Sequence, residues 1–67
     1  MTARSTRNKM RHQAEKIIND LDRALSHCKL LDEMAEDQSD LVSDYLPDVV
    51  TSLDMLQDIV RKFRSEL

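Results

Sequence analysis

The chain has 67 residues, a net charge of −3, no glycine, one proline and one cysteine. A chain of this length forms at most one small domain, and such domains are only marginally stable alone. The single cysteine excludes an internal disulfide, and the scarcity of glycine and aromatic residues disfavours strands joined by tight turns. The composition is typical of helices.

The first half carries a heptad repeat, in which apolar or small residues recur at alternating steps of four and three. Position a is occupied by Ala14, Leu21, Cys28 and Ala35, and position d by Met10, Ile17, Ala24 and Leu31. This pattern predicts a helix from about residue 7 to residue 36, preceded by a flexible basic segment at 1–6.

A polar segment, Glu36-Asp37-Gln38-Ser39-Asp40, interrupts the repeat and predicts a turn at 37–39. Because no glycine is present, a residue such as Asp37 is expected to adopt the left-handed backbone conformation. The side-chain oxygen of either Asp37 or Ser39 can cap the following helix.

The second half repeats the pattern and predicts a helix from about residue 40 to residue 66. Its stripe consists of Val42, Leu46, Val49, Leu53, Leu56, Val60, Phe63 and Leu67, with Leu46 at a and Val49 at d. Pro47 falls at b, inside this repeat, where it removes a backbone hydrogen bond. Either the helix kinks near Pro47 or a short helix ends and another begins there. The unbroken repeat favours the kink.

The two stripes predict an all-α fold, an antiparallel two-helix hairpin forming one domain over 1–67. If the numbers of facing residues add to 77, every stripe residue meets a stripe residue of the other helix. Small residues then face large ones, as in the pairs Ala24–Leu53 and Ala14–Phe63. Such alternation lets side chains interdigitate.

Further apolar residues flank the seam and predict a second interface, since a helix with a wide apolar stripe packs against more than one neighbour. The predicted interface residues are Ile18, Leu25 and Val50 at e, and Met34, Tyr45 and Ile59 at g. The alternative is that these are scattered surface residues. Leu30, Leu41 and Met55, at c, are interpreted as ordinary surface.

Charge divides the hairpin into a basic open end and an acidic turn end. Residues 1–16 and 60–67 are net basic, whereas residues 32–48 contain seven acidic residues and no basic one. A second hairpin laid antiparallel would cover the apolar flanks and pair opposite charges. We therefore expect a homodimer that forms a four-helix bundle, or docking on a helical protein partner.

The basic end supports a second hypothesis, contact with RNA or DNA phosphates. The candidate contacts are Arg4, Arg7, Lys9, Arg11, Arg61, Lys62 and Arg64. The predicted architecture is similar to that of Rop-type plasmid copy-number regulators, which are RNA-binding hairpin dimers, although no sequence motif is shared. The acidic net charge and the scarcity of aromatic residues weigh against this hypothesis.

Catalytic chemistry has little support in the sequence. His27 and Cys28 are adjacent and point about 100° apart on a helix, so they do not converge on a metal ion. Glu33 and Glu36, with the acids of the second helix, resemble the magnesium-binding pattern of all-α nucleotide pyrophosphatases, but they cluster at an exposed turn. We expect no enzyme activity, no catalytic residue, no metal, no cofactor and no small-molecule substrate.

The leading hypothesis is therefore a non-enzymatic protein–protein interaction module, such as a small regulator, assembly chaperone or inhibitor. No secretory signal and no apolar run of membrane-spanning length occurs in the sequence, so no membrane association is expected. A single unpaired cysteine fits a reducing compartment, which predicts a cytoplasmic location.

Overall fold

The fold is a hairpin of two packed α-helices. A computed structural model describes residues 3–36 and 38–67. Helix α1 spans Ala3–Ala35 and helix α2 spans Asp40–Glu66, and no strand occurs in these described ranges. The molecule is a rod of 55 × 16 × 12 Å. The prediction of an all-α two-helix hairpin is confirmed.

Helix α1 begins earlier than the sequence pattern indicated. It starts at Ala3, so residues 3–6 are helical rather than flexible as predicted, while residues 1 and 2 lie outside the described part. The heptad repeat marks where apolar contacts begin, and a helix continues beyond them where no proline or glycine stops it.

The turn uses Glu36 and Ser39. Glu36 has a positive φ of 47°, and it therefore supplies the left-handed conformation that the sequence analysis assigned to Asp37, a residue outside the described ranges. Ser39 is the N-cap of α2, with extended backbone angles, and its hydroxyl oxygen accepts a hydrogen bond from the backbone N–H of Val42 at 3.3 Å. Of the two predicted caps, Ser39 is confirmed. The carboxylate of Asp40, in the first turn of α2, interacts favourably with the helix dipole.

Helix α2 continues through Pro47 without interruption. This continuity excludes the alternative of two shorter helices meeting at the proline. A proline in a helix interior leaves the carbonyl four residues earlier without its usual donor. The packing of α2 on α1 therefore has to offset a local loss of helix stability.

Substitution of this proline should stabilise the protein. The Pro47→Ala variant regains a backbone N–H at an exposed position, so its free energy of unfolding should rise by about 1–3 kcal/mol. Urea denaturation at fixed protein concentration measures the change, with exposed Ser43→Ala as the matched control. An unchanged or lowered stability would show that the proline conformation is favoured by tertiary contacts.

The helices pack mainly through positions a and e, whereas the prediction was a and d; of the predicted d residues, only Ala24 and Val42 are partly buried. The residues of this inner stripe are buried or partly buried: Ala14, Ile18, Leu21, Leu25 and Cys28 on α1, and Leu46, Val50, Leu53, Gln57, Val60, Arg64 and Leu67 on α2. By contrast, the large d residues Met10, Ile17, Leu31, Val49, Leu56 and Phe63 remain about half exposed. The seam prediction is therefore wrong for these six residues, because each helix is rotated so that its a and e positions face the other helix.

Polar side chains at e hold this rotated arrangement. Gln57 is only 7% exposed, and its Nε2 donates to the backbone carbonyl of Ile18 at 3.2 Å and to Oδ1 of Asp22. Two turns further on, Arg64 forms an ion pair with Glu15. These bonds exist only if position e faces the other helix. They also agree with the predicted register, since Gln57 bonds to residues 18 and 22, on either side of residue 20.

Loss of the Gln57 amide should weaken the hairpin. The Gln57→Ala variant leaves the Asp22 carboxylate without its cross-helix donor, and we expect a loss of about 1–2 kcal/mol in the free energy of unfolding. The exposed turn residue Gln38 provides the matched control, Gln38→Ala, which should change stability by less than about 0.5 kcal/mol. Equal effects of the two substitutions in urea denaturation would contradict a role for Gln57 in register.

Candidate interaction surface

Among the residues that the structure describes, the large exposed apolar side chains lie on one side of the hairpin. Every one of them occupies position c, d or g, a sector about 100° wide on each helix. We call this set the outer face: Met10, Ile17, Leu30, Leu31 and Met34 on α1, and Leu41, Tyr45, Val49, Met55, Leu56, Ile59 and Phe63 on α2. Scattered surface residues would also occupy b, e and f, so the segregation indicates one continuous surface.

Two apolar depressions show that both helices contribute to this face. The depression near the turn has a volume of about 320 Å³ and is lined by Leu31 of α1 and by Tyr45 and Val49 of α2. The depression near the open end has a volume of about 330 Å³ and is lined by Ile17 and Phe63. The d positions of both helices therefore line the same side of the rod.

The opposite side of the hairpin carries charged residues along its length. Near the turn end, Lys29, Asp32 and Asp54 border a groove of about 660 Å³ between the helices. Near the open end, Glu15 and Arg64 form their ion pair beside Arg61. This side therefore combines charged residues with apolar ones, since Leu25, Leu46 and Val50 also line the groove.

The structure separates the six predicted interface residues into two groups. Met34, Tyr45 and Ile59 are on the outer face, with exposures of 81%, 66% and 61%. Ile18, Leu25 and Val50 belong instead to the inner stripe and are partly buried.

Sequence reasoning also missed part of the outer face. The half-exposed d residues were assigned to the seam, whereas Leu30, Leu41 and Met55 are exposed, as their interpretation as surface residues predicted. All nine lie beside the g residues. Positions c, g and d are contiguous around a helix, so apolar residues at all three positions could have indicated a single surface from the sequence.

The hairpin encloses very little apolar surface of its own. Among the described residues only Ala14, Cys28 and Val60 are buried apolar residues, and no side chain is fully enclosed. The chain exposes 5618 Å², whereas a folded monomer of 7.8 kDa exposes about 4,400 Å². Its radius of gyration of 16.1 Å likewise exceeds the roughly 11 Å of a compact domain of this length. The excess area is enough to form an interface.

The basic candidate residues lie at the open end, but they differ in accessibility. Arg7, Arg11, Arg61 and Lys62 are exposed, as is Lys9. Arg64 is partly buried and is engaged by Glu15. The side chain of Arg4 lies outside the described residues. The exposed cations therefore form a loose cluster around the open end.

The candidate chemical groups do not converge. His27 is exposed at the edge of the turn-end depression, whereas Cys28 is buried with a free thiol. Within the described ranges, no group of three or more His, Cys, Asp or Glu residues is arranged to hold a metal ion. Neither described helix has a stretch long and apolar enough to cross a membrane.

Comparisons with known proteins give no relative from which a function could be transferred. The chain matches no protein-family model, and neither a curated protein nor a solved structure is significantly similar to it. The functional argument therefore depends on the geometry and chemistry of the outer face.

Proposed function

We propose that this chain is a non-enzymatic interaction module that docks its outer face on other α-helices. The observation that carries this proposal is that the twelve large apolar residues exposed in the described part of the chain all occupy positions c, d and g. Exposed apolar patches of this extent mark protein–protein contact sites. Because the face is long, straight and made of helical ridges, its natural complement is another pair of helices.

The geometry favours a four-helix bundle as the complete structure. Around each helix, the centre of the inner stripe at a and e lies about 110° from the centre of the d and g positions, close to a right angle. A helix in a square bundle needs two contact sides at this angle, one for each neighbour. Either a second hairpin or two helices of another protein can supply the missing layer, as in small regulators, assembly chaperones or inhibitors.

The proposed setting is a reducing compartment such as the cytoplasm. The only cysteine is buried on the inner stripe with its thiol free. A buried thiol acts there as a small apolar side chain, and a reducing compartment keeps it so.

The proposal is tested by comparing three immobilised proteins in cell extract: the unmodified chain, Ile59→Glu on the outer face, and Asn19→Glu on the opposite side of the hairpin. Ile59 and Asn19 are both exposed and each variant adds one negative charge, so the pair is matched. We expect the unmodified chain and Asn19→Glu to retain the same proteins, including any copies of the chain itself, and Ile59→Glu to lose them. Identical retention by all three would contradict docking through the outer face.

A second candidate function, binding of RNA or DNA phosphates, is favoured by the exposed cations at the open end. Arg7, Arg11, Arg61 and Lys62 come from both helices and lie at the same end of the rod. Phosphate contacts make affinity fall steeply with salt. A salt titration of binding to duplex and hairpin RNA, with a variant carrying Arg4→Ala, Arg7→Ala and Arg11→Ala, tests this function. Binding that is absent, or unaffected by these substitutions, would remove it.

A further inference from the structure

We infer that the partner of the outer face is a second copy of this chain, related by a two-fold axis that passes near Leu56 and lays the two hairpins antiparallel. This inference rests on the proposed function of the outer face and adds the identity, orientation and register of the partner. It follows from three independent features: the charge at the two ends, the positions of the depressions and the order of the d residues.

The charge of the rod opposes a parallel copy and favours an antiparallel one. Residues 32–48, at the turn end, contain seven acidic and no basic residues, whereas residues 1–16 contain five basic residues and one acidic residue. Parallel copies would place the two acidic ends side by side. Antiparallel copies place each acidic end beside a basic end, an arrangement in which the electrostatic potentials are complementary.

The outer face has one apolar depression on each side of its middle. The depressions at the turn end and the open end have almost equal volumes, about 320 and 330 Å³. A half-turn about an axis between them brings each depression over the other depression of the second copy. Leu56 lies between the two depressions on α2, so it stands close to that axis.

One register matches the d residues of both helices. Along α2, Leu56 meets Leu56 of the second copy, and Val49 meets Phe63 of the second copy. Along α1, the same half-turn pairs Met10 with Leu31 and Ile17 with Ala24. The α2 pairs place the two-fold axis at residue 56, and the α1 pairs place it near residue 21. Residues 56 and 21 face each other within one hairpin, because their numbers add to 77. A single axis therefore produces both sets of pairs. In two of these pairs, Val49–Phe63 and Ile17–Ala24, a large residue meets a smaller one, an alternation that helps side chains interdigitate.

Charged residues at the edge of the face agree with this register. Asp48 of α2 comes close to Lys62 of the second copy, an opposite charge. On α1, the same register brings Asp20 within one residue of Asp20 of the second copy, and Arg23, which lies 3.7 Å from Asp20 within each chain, offsets this contact between like charges. Individually such exposed pairs add little stability, but like charges at positions 48 and 62 would penalise the orientation.

The test combines solution mass with disulfide trapping. Sedimentation equilibrium of the unmodified chain should give twice the 7.8 kDa of one chain at both low and high salt. For trapping, Cys28→Ala removes the native thiol, and Val49→Cys or Phe63→Cys is added to it. Under mild oxidation, the mixture of these two proteins should form mixed disulfide dimers at least about tenfold faster than Phe63→Cys alone forms dimers with itself.

The orientation is decided by the behaviour of Phe63→Cys alone. In the antiparallel register its thiol faces residue 49 of the second copy, so the two residue-63 thiols are separated by about 21 Å along the helix. Self-linkage of Phe63→Cys as fast as the mixture would overturn the antiparallel arrangement.

Failure of this inference can be told from failure of the proposed function. A sedimentation mass of 7.8 kDa would overturn the second copy as partner. Loss of captured proteins by Ile59→Glu, with retention by Asn19→Glu, would then still support docking of the outer face on a different helical protein. A monomer that also captures the same proteins with every variant would overturn both.

Discussion

Replacement of Leu56 by glutamate is expected to abolish self-association while the hairpin stays helical. Leu56 is 46% exposed in the single hairpin, and the proposed dimer would bury the remainder at the two-fold axis, once from each copy. Two lost leucine contacts cost about 3 kcal/mol or more, and two carboxylates brought together add further cost. The dissociation constant should therefore rise at least about a hundredfold. Sedimentation velocity over a concentration series measures it.

The matched control for Leu56→Glu is Asn19→Glu, which adds the same charge on the polar side of α1. Asn19 is exposed and lies beside Arg61 and Arg64, so the new carboxylate should be accommodated. We expect its dissociation constant to stay within about threefold of that of the unmodified chain, since surface substitutions usually change free energies by less than about 0.5 kcal/mol. Equal weakening by both variants would point to net charge, and not the outer face, as the determinant of association.

The hairpin itself could be predicted from the sequence because its signals are local and periodic. Alternating steps of four and three in both halves predict two helices, and a polar segment between them places the turn. The register also follows from the sequence, since only one alignment matches the two stripes along their whole length. The bonds from Gln57 to Ile18 and Asp22 agree with that alignment.

The rotation of the helices could not be predicted from the apolar pattern. Every d residue is apolar, whereas the e positions carry only Ile18, Leu25 and Val50 among mostly polar residues, so the apolar pattern alone favours d as the side that faces the other helix. The choice depends on specific polar side chains: Gln57 and Arg64 look like surface residues in the sequence, yet both bond across the seam. Their hydrogen-bonding capacity decides which side is enclosed, and it leaves the d residues on the outer face.

The partner of the outer face follows even less directly from the sequence. An amphipathic pattern shows that a surface needs covering, whereas the identity of the cover depends on shape and charge over distances of many residues. Here the two depressions, the acidic turn end and the basic open end supply that information only after the hairpin is assembled. The inference of a second copy therefore needed the three-dimensional arrangement.

The second large effect is expected at Cys28, where aspartate should unfold the protein. Cys28 is 9% exposed on the inner stripe, between the two helices. An aspartate of similar size places a carboxylate in this seam, one helical turn from the like charge of Asp32. Burial of an unpaired charge costs several kcal/mol, and chains of this length rarely have more than about 3–5 kcal/mol of stability. Circular dichroism at 25 °C should show loss of most helical signal.

The control at the same position separates loss of the thiol from gain of the charge. Cys28→Ala removes only one sulfur atom, so the free energy of unfolding should fall by about 1 kcal/mol and the helices should persist. The aspartate effect should also depend on pH: below the pKa of the new carboxyl the side chain is neutral, and part of the helical signal should return on acidification. A fully helical Cys28→Asp protein at neutral pH would show that water reaches this position. The inner stripe would then contribute less to the fold than its burial indicates.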